Sequence, residues 1–462
     1  MSFTDLNFVF RFLPVFLLVY YIVPAAARPY ILAAGSLVFY AFADLRYLPV
    51  LLLMGIWNCI MAPSCAKKDK AALCFGVGMD VLLLCAAKCL AAAYDPVFLP
   101  AGMSFYTFRM IAFLADSYRG KIPAVGKTGD GIRVSDALCY FFMFPQLLMG
   151  PIMRFGDYRK CAAFRTGSVE KKSVRFRNVI QRIENGMTFF IAGMAFKVLL
   201  ADHLEPLWQS LRTTGYESIS TPLAWLGIVS RSMQIYYDFM GYSLMAAGLG
   251  VMLGFPFVKN FDQPYAAGSV SEFYRRWHMT LGTFFRDYVY IPMGGSRCGW
   301  ARTTLNLAFV WLLTGIWHGI TPGFFIWSGS LLLMILVEKA LADRGMKRRK
   351  VIGRINVLFF IPLTWCAFAI DDPERLVTYF GRLFPVFGTS EGVVYTYDYL
   401  VALNSHWIYL LFSLVFLFPQ VYDYFGKRRR RPVVTLLSMV LFALCAVSSV
   451  RAGSNPFMYA GF

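Results

Sequence analysis

The chain has 462 residues, of which 58% are hydrophobic and only 15% charged, with a mean hydropathy of +0.55. Soluble domains carry roughly 25% charged residues, so a soluble protein with a large core is excluded and a polytopic membrane protein is indicated. The formal charge of +19 gathers at 67–70, 154–182, 275–302, 347–354 and 427–431, as the positive-inside rule requires of cytoplasmic segments; with no soluble domain to present a face, nucleic acid is not an expected partner.

Apolar runs of about 20 residues are the unit of a membrane crossing. In chain order they fall at 7–23, 31–42, 48–62, 71–93, 98–114, 137–153, 187–200, 222–253, 305–317, 324–337, 351–370, 406–418 and 433–450. Several are shorter than a full span and read as half-helices or re-entrant segments, which are tolerated where protein or water covers the backbone. The expectation is an all-α fold over 1–462 as a single domain, with about 11 spanning helices plus re-entrant and interfacial ones. Residues 1–5 lack a basic start and 25–27 are followed by more membrane sequence, so the first apolar run is expected to stay as a helix. If the basic clusters all lie inside, three runs between Lys70 and Arg154 break the parity. Either one of them is re-entrant or the segmentation needs changing.

Ten cysteines are present, mostly in apolar runs and never spaced C-x-x-C. They read as small buried hydrophobes, with neither a disulfide framework nor a metal site expected. Residues 121–135 form a polar loop, and 155–185 could hold an amphipathic helix. Residues 258–302 are too polar to span and too aromatic to be a mobile tail, and are placed as a basic segment at the cytoplasmic interface. This segment opens with Asn260-Phe-Asp-Gln-Pro-Tyr265, continues as a basic aromatic helix over 269–290 that Ser271 could cap, and closes on Pro292-Met-Gly-Gly-Ser-Arg297.

Only four histidines occur. His318 ends the uncharged stretch Asn306-Leu-Ala-Phe-Val-Trp-Leu-Leu-Thr-Gly-Ile-Trp-His318, just before a Thr-Pro-Gly break at 321–323. An ionisable group in apolar sequence is costly and points to function. A neutral imidazole there can take a proton from a hydroxyl; the ordinary alternative is a histidine satisfied by a backbone carbonyl. His278 lies in Glu272-Phe-Tyr-Arg-Arg-Trp-His-Met-Thr280. It is either one more interfacial polar residue or a second catalytic histidine, with the neighbouring arginines able to hold an anionic cofactor. Asp238, in Gln234-Ile-Tyr-Tyr-Asp-Phe-Met-Gly-Tyr-Ser243, is either the partner of an arginine such as Arg231 or Arg286, or lines a reaction chamber with Tyr237, Trp317 and Asp287. No H-x4-D follows a histidine, and no P-loop, G-x-G-x-x-G or H-E-x-x-H is present.

These residues, in this order, resemble the membrane-bound O-acyltransferase (MBOAT) family. The resemblance covers most of the chain and includes Pro100-Ala-Gly-Met-Ser-Phe-Tyr-Thr-Phe108, Phe144-Pro-Gln-Leu-Leu-Met-Gly-Pro-Ile152, Gly315-Ile-Trp-His-Gly319 and the terminal Asn455-Pro-Phe-Met-Tyr459. Arg286-Asp-Tyr-Val-Tyr-Ile-Pro-Met-Gly-Gly295 is similar to the polysaccharide-acetylating branch typified by bacterial alginate O-acetyltransferases. The teichoic-acid D-alanylating branch shares Arg-Trp-His and Trp-His-Gly but typically lacks that ending.

The resemblance implies a funnel-shaped helical bundle with a thin floor near mid-membrane, in the bacterial cytoplasmic membrane. It implies His318 as the catalytic base and His278 as the second histidine, with His278 or a nearby donor steadying the oxyanion. Arg275, Arg276, Arg286 and Arg297 are the candidates for the phosphates of acetyl-CoA, the expected acyl donor; an acyl carrier protein thioester is the alternative. The expected partners are the lipid bilayer, a polysaccharide acceptor, and an extracytoplasmic acetyltransferase of SGNH type or a small membrane acceptor protein. Two departures stand out. The usual Gly-Tyr-Ser-Asp reads Gly241-Tyr-Ser-Leu244, and the usual Leu-His-Gly reads Ser330-Leu-Leu332. The rival readings are D-alanyl transfer to teichoic acid, an acyl or CoA transporter without chemistry, and a scaffold that only anchors a transferase.

Overall fold

The computed structural model describes residues 2–123, 125, 132–161, 163–164, 172–345, 350–385, 394–428 and 431–452. The motif at 455–459 and parts of the segments 121–135, 155–185, 347–354 and 427–431 lie outside the described residues. Most of the described residues are helical, as the apolar runs predict. Among the described residues, seven helices are long and apolar enough to cross a bilayer, or eight if the bent pair Asp398–Val415 and Pro419–Arg428 is one span. The expectation was about 11. Part of the difference lies in short elements: Phe8–Ile22 falls below span length, and the 42-residue run Ala25–Ala66 is two helices, Arg28–Asp44 and Leu48–Ala66. Outward faces are apolar. In Pro432–Val450 only 6% of the apolar window is buried among the described residues, a face suited to lipid.

The chain divides into two compact units that alternate along the sequence. One comprises Met1–Met194, Tyr242–Lys259 and Val440–Phe462. Its core is aromatic: Phe144 meets Phe12 and Phe16 edge-on, and Phe3 stacks on Tyr242 at 4.9 Å. Lys68 donates its ammonium to the Tyr118 carbonyl, so the ends of Lys70–Ala93 and Met103–Tyr118 meet again on the side from which the first departed. The next helix, Val134–Phe142, has nine residues and is only about 14 Å long at 1.5 Å per residue. The chain then turns back, and the Tyr140 hydroxyl donates to the Met153 carbonyl at 2.8 Å. The apolar run 137–153 is thus a fold-back and not a crossing.

The other unit comprises Ala195–Gly241 and Asn260–Met439, and it contains every residue singled out for chemistry. Its framework is two antiparallel helices, Gly299–His318 and Pro322–Asp343, followed by Lys350–Ala369. Small residues allow close approach. A Cβ on Gly315 would lie 2.7 Å from Ser328 Oγ, and one on Gly323 would strike the Ala367 carbonyl.

Candidate functional site

The basic segment does not form one helix over 269–290. It breaks into Val270–Arg276 and Met279–Phe285, followed by a π-helical turn at Arg286–Tyr290. The break is at His278, whose backbone is left-handed with φ 44°. Asn260 makes the break possible. Its carbonyl accepts the Met279 N–H at 2.8 Å, and its side-chain Oδ1 accepts the Thr280 N–H at 3.2 Å and hydroxyl at 2.8 Å. Ser269, not Ser271, caps the first helix, accepting the Glu272 N–H at 3.0 Å. Glu272 reaches back as well, accepting the Gly268 N–H at 2.9 Å, one residue before the N–H that a capping box would take.

His278 is buried. Its Nδ1 lies 3.1 Å from Asn260 Oδ1. Because that atom accepts a backbone N–H from Thr280, it is an oxygen, and Nδ1 must carry the proton. Burial pulls the His278 pKa down to about 3, so the ring is neutral near pH 7 and its Nε2 presents a lone pair. In this tautomer the neutral ring offers an acceptor at Nε2, which favours the nearby donor that was the other expectation for the oxyanion.

His318 is the last residue of Gly299–His318, at the carbonyl end of the helix. Its ring is buried among Trp317, Trp327, Phe368 and Phe324, with centroids 4.4, 4.9, 5.1 and 5.9 Å away. A Cβ at Gly319 would lie 2.6 Å from the Phe324 ring, so the residue after the histidine has to be small for this box to close. The indole of Trp317 also meets His278, with centroids 6.1 Å apart. The structure therefore brings the two histidines onto one tryptophan, although 40 residues separate them in sequence.

The remaining candidates divide. Asp238 is buried and paired with a lysine: Lys197 Nζ binds it at 2.7 Å and Asp202 at 2.6 Å. The lysine comes from a π-helical turn at Phe196–Ala201. Arg231 donates to Gln234 Oε1 at 2.7 Å. Tyr237 is buried, its hydroxyl donating to the Ser413 carbonyl. Asp287 is half-buried and bound by its neighbour Arg286 at 2.7 Å. Arg275, Arg286 and Arg297 are exposed, whereas Arg276 is bound to Glu272 at 2.6 Å and to the Asp262 carbonyl.

Sequence reasoning missed Asn260 as a partner of His278, together with Lys197, Trp327 and Glu338. Lys197 and Glu338 were within reach of it, since each is a charge in or beside an apolar run, the same signal that marked Asp238. Nothing in the sequence separates Trp327 from other membrane tryptophans.

An all-α membrane chain with two buried histidines on a shared aromatic wall, one ending the Trp-His-Gly helix, is a membrane O-acyltransferase: the chain belongs to the membrane-bound O-acyltransferase family. The family model "MBOAT, membrane-bound O-acyltransferase family" matches residues 131–349, the stretch that holds both histidines. The chain is similar to the probable alginate O-acetylase AlgI of Pseudomonas putida, 32% identical over 83% of this chain and 80% of that protein. It is similar to the Pseudomonas aeruginosa protein of the same description, 35% identical over 85% of this chain and 76% of that one. The peptidoglycan O-acetyltransferase of Helicobacter pylori is 30% identical over 79% of this chain and 76% of its own length. The chain is thus a multi-pass membrane enzyme of the acyltransferase class.

Proposed function

We propose that this chain takes an acetyl group from cytoplasmic acetyl-CoA and passes it through the membrane for O-acetylation of an extracytoplasmic polysaccharide, of the exopolysaccharide or cell-wall type on which the named relatives act. The observation that carries the reading is the pair of buried histidines meeting one tryptophan, at the end of an apolar helix where a reacting group is shielded from bulk water. The acceptor hydroxyl donates its proton to His318. Its oxygen forms the new C–O bond at the thioester carbonyl, the C–S bond breaks, and the proton passes to the leaving thiolate as CoA departs. The lone pair of His278 Nε2 accepts an amide N–H of the pantetheine arm and so holds the thioester in line with that oxygen. The oxyanion finds its donor in Trp327, whose buried indole N–H has no acceptor among the described residues and whose ring lies 4.9 Å from His318. Exposed Arg275, Arg286 and Arg297 meet the CoA phosphates; Arg276 is committed to Glu272 and holds the helix. The immediate acceptor is a small membrane protein or an extracytoplasmic SGNH-type transferase.

The test is acetyl transfer from labelled acetyl-CoA by the purified protein in liposomes. His318→Ala should lower the rate by about 10²–10⁴-fold, the usual worth of a positioned base. Trp327→Phe, which keeps the ring and removes the N–H, should lower kcat and leave KM unchanged. Normal transfer by His318→Ala overturns the assignment. Movement of CoA across the membrane without free CoA and acylated acceptor favours the transporter. Mass spectrometry of envelope glycans separates the branches, because loss of O-acetyl esters without this protein supports the reading, whereas loss of D-alanyl esters supports the teichoic-acid alternative.

A further inference from the structure

Glu338 lies near the end of Pro322–Asp343, the helix that follows His318. It is buried, and both carboxylate oxygens are spent on the start of Val270–Arg276. Oε1 accepts the Val270 N–H at 2.7 Å, and Oε2 accepts the Ser271 N–H at 3.0 Å and the Ser271 hydroxyl at 2.6 Å. A helix start leaves backbone N–H groups without intrahelical partners and carries partial positive charge. With Ser269 satisfying Glu272, the first three N–H groups of this helix all have acceptors, two of them on Glu338. The same helix start is held from a second side. The Arg354 guanidinium donates to the Ala266 carbonyl at 3.2 Å, and a Cβ on Gly353 would strike the Gly268 carbonyl.

Val270–Arg276 is seven residues long, roughly 10 Å, and His278 follows its last residue by two. A helix that short has little grip of its own, so the position of its first turn decides where its far end points. The carboxylate clamping that turn comes from the helix that His318 precedes. We infer that Glu338 is a positioning residue for the acyl-transfer reaction: it fixes the His278 segment to the helix after His318, so that the two histidines keep a constant separation. The inference rests on the reading of His278 given under Proposed function.

The test is a double-mutant cycle in the liposome assay. Glu338→Gln keeps the shape but cannot accept at both oxygens; alone it should lower kcat on the order of 10–100-fold, the scale of an ångström-sized misplacement. On a His278→Gln background the same change should cost less than about twofold, because its target is gone. Ser271→Ala removes one of the three bonds and should lie between the wild type and Glu338→Gln. Equal loss in both backgrounds, or a wild-type kcat for Glu338→Gln, overturns the inference. A wild-type rate for His278→Gln alone instead overturns the reading of His278. If the doubly substituted protein falls below detection, hydrogen exchange decides. Glu338→Gln should raise exchange over 270–278 in the folded, detergent-solubilised protein, and unchanged exchange there sinks the clamp.

Discussion

Asn260 sets the chemistry of His278 through a single oxygen, and the consequences can be measured. The substitution Asn260→Asp puts a carboxylate at Nδ1, which favours the imidazolium and raises the His278 pKa from about 3. Transfer by the variant should then fall several-fold toward pH 6 and recover at higher pH, with no such limb from His278 in the wild type. Stability depends on the difference between the folded and unfolded chains. The folded pKa is depressed below the ordinary value of 6.5, so between pH 6.5 and about 3 the unfolded chain holds the extra proton. The stabilisation from neutral His278 is complete above 6.5 and is lost as pH falls through that window, at about 1.4 kcal/mol per pH unit. His278→Gln should flatten the acid limb of Tm against pH. At Lys197 the sign comes from charge left behind: Lys197→Met takes the ammonium from buried Asp238 and half-buried Asp202 and should cost about 3–5 kcal/mol, while Lys197→Met with Asp238→Leu should recover part of it. A thermal-shift series in detergent reads both.

Among the elements, the close approach of Lys350–Ala369 to the turn at Gly268 carries the sharpest prediction. Gly353→Ala must push that turn and the helix it starts. Overpacking of this kind costs about 1–3 kcal/mol. Transfer should fall by more than that loss of stability explains, because the displaced helix carries His278; a variant with lowered Tm but normal kcat would show that the helix start is not critical. The helices themselves were legible, since apolar runs announce them. Their breaks were not. The 269–290 stretch reads as one basic aromatic helix because nothing in Arg-Arg-Trp-His-Met signals a left-handed residue; the bond that turns it comes from Asn260, 18 residues earlier. In the same way 137–153 has the composition of a span, and only its return through Tyr140 to Met153 shows that it folds back.

For the whole molecule, the histidines and the membrane class were readable because charge in apolar sequence has few structural uses. The partners of those charges were not, because Lys197, Asn260 and Glu338 reach them across the fold. Orientation can be read with native chemistry. Cys298 is exposed beside Arg297, while the other exposed cysteines, Cys74, Cys85 and Cys89, lie in the apolar helix Lys70–Ala93. A membrane-impermeant maleimide should label Cys298 in inverted vesicles and not in intact cells; the reverse pattern would put the basic segment outside. The left-handed backbone of His278 has a consequence for anyone trying to harden this protein. A side chain other than glycine in that region is held against its own preference by about 1–2 kcal/mol. Of the two small substitutes, His278→Gly should therefore melt higher than His278→Ala, while both give up the buried ring with its Asn260 bond and no longer transfer acyl groups.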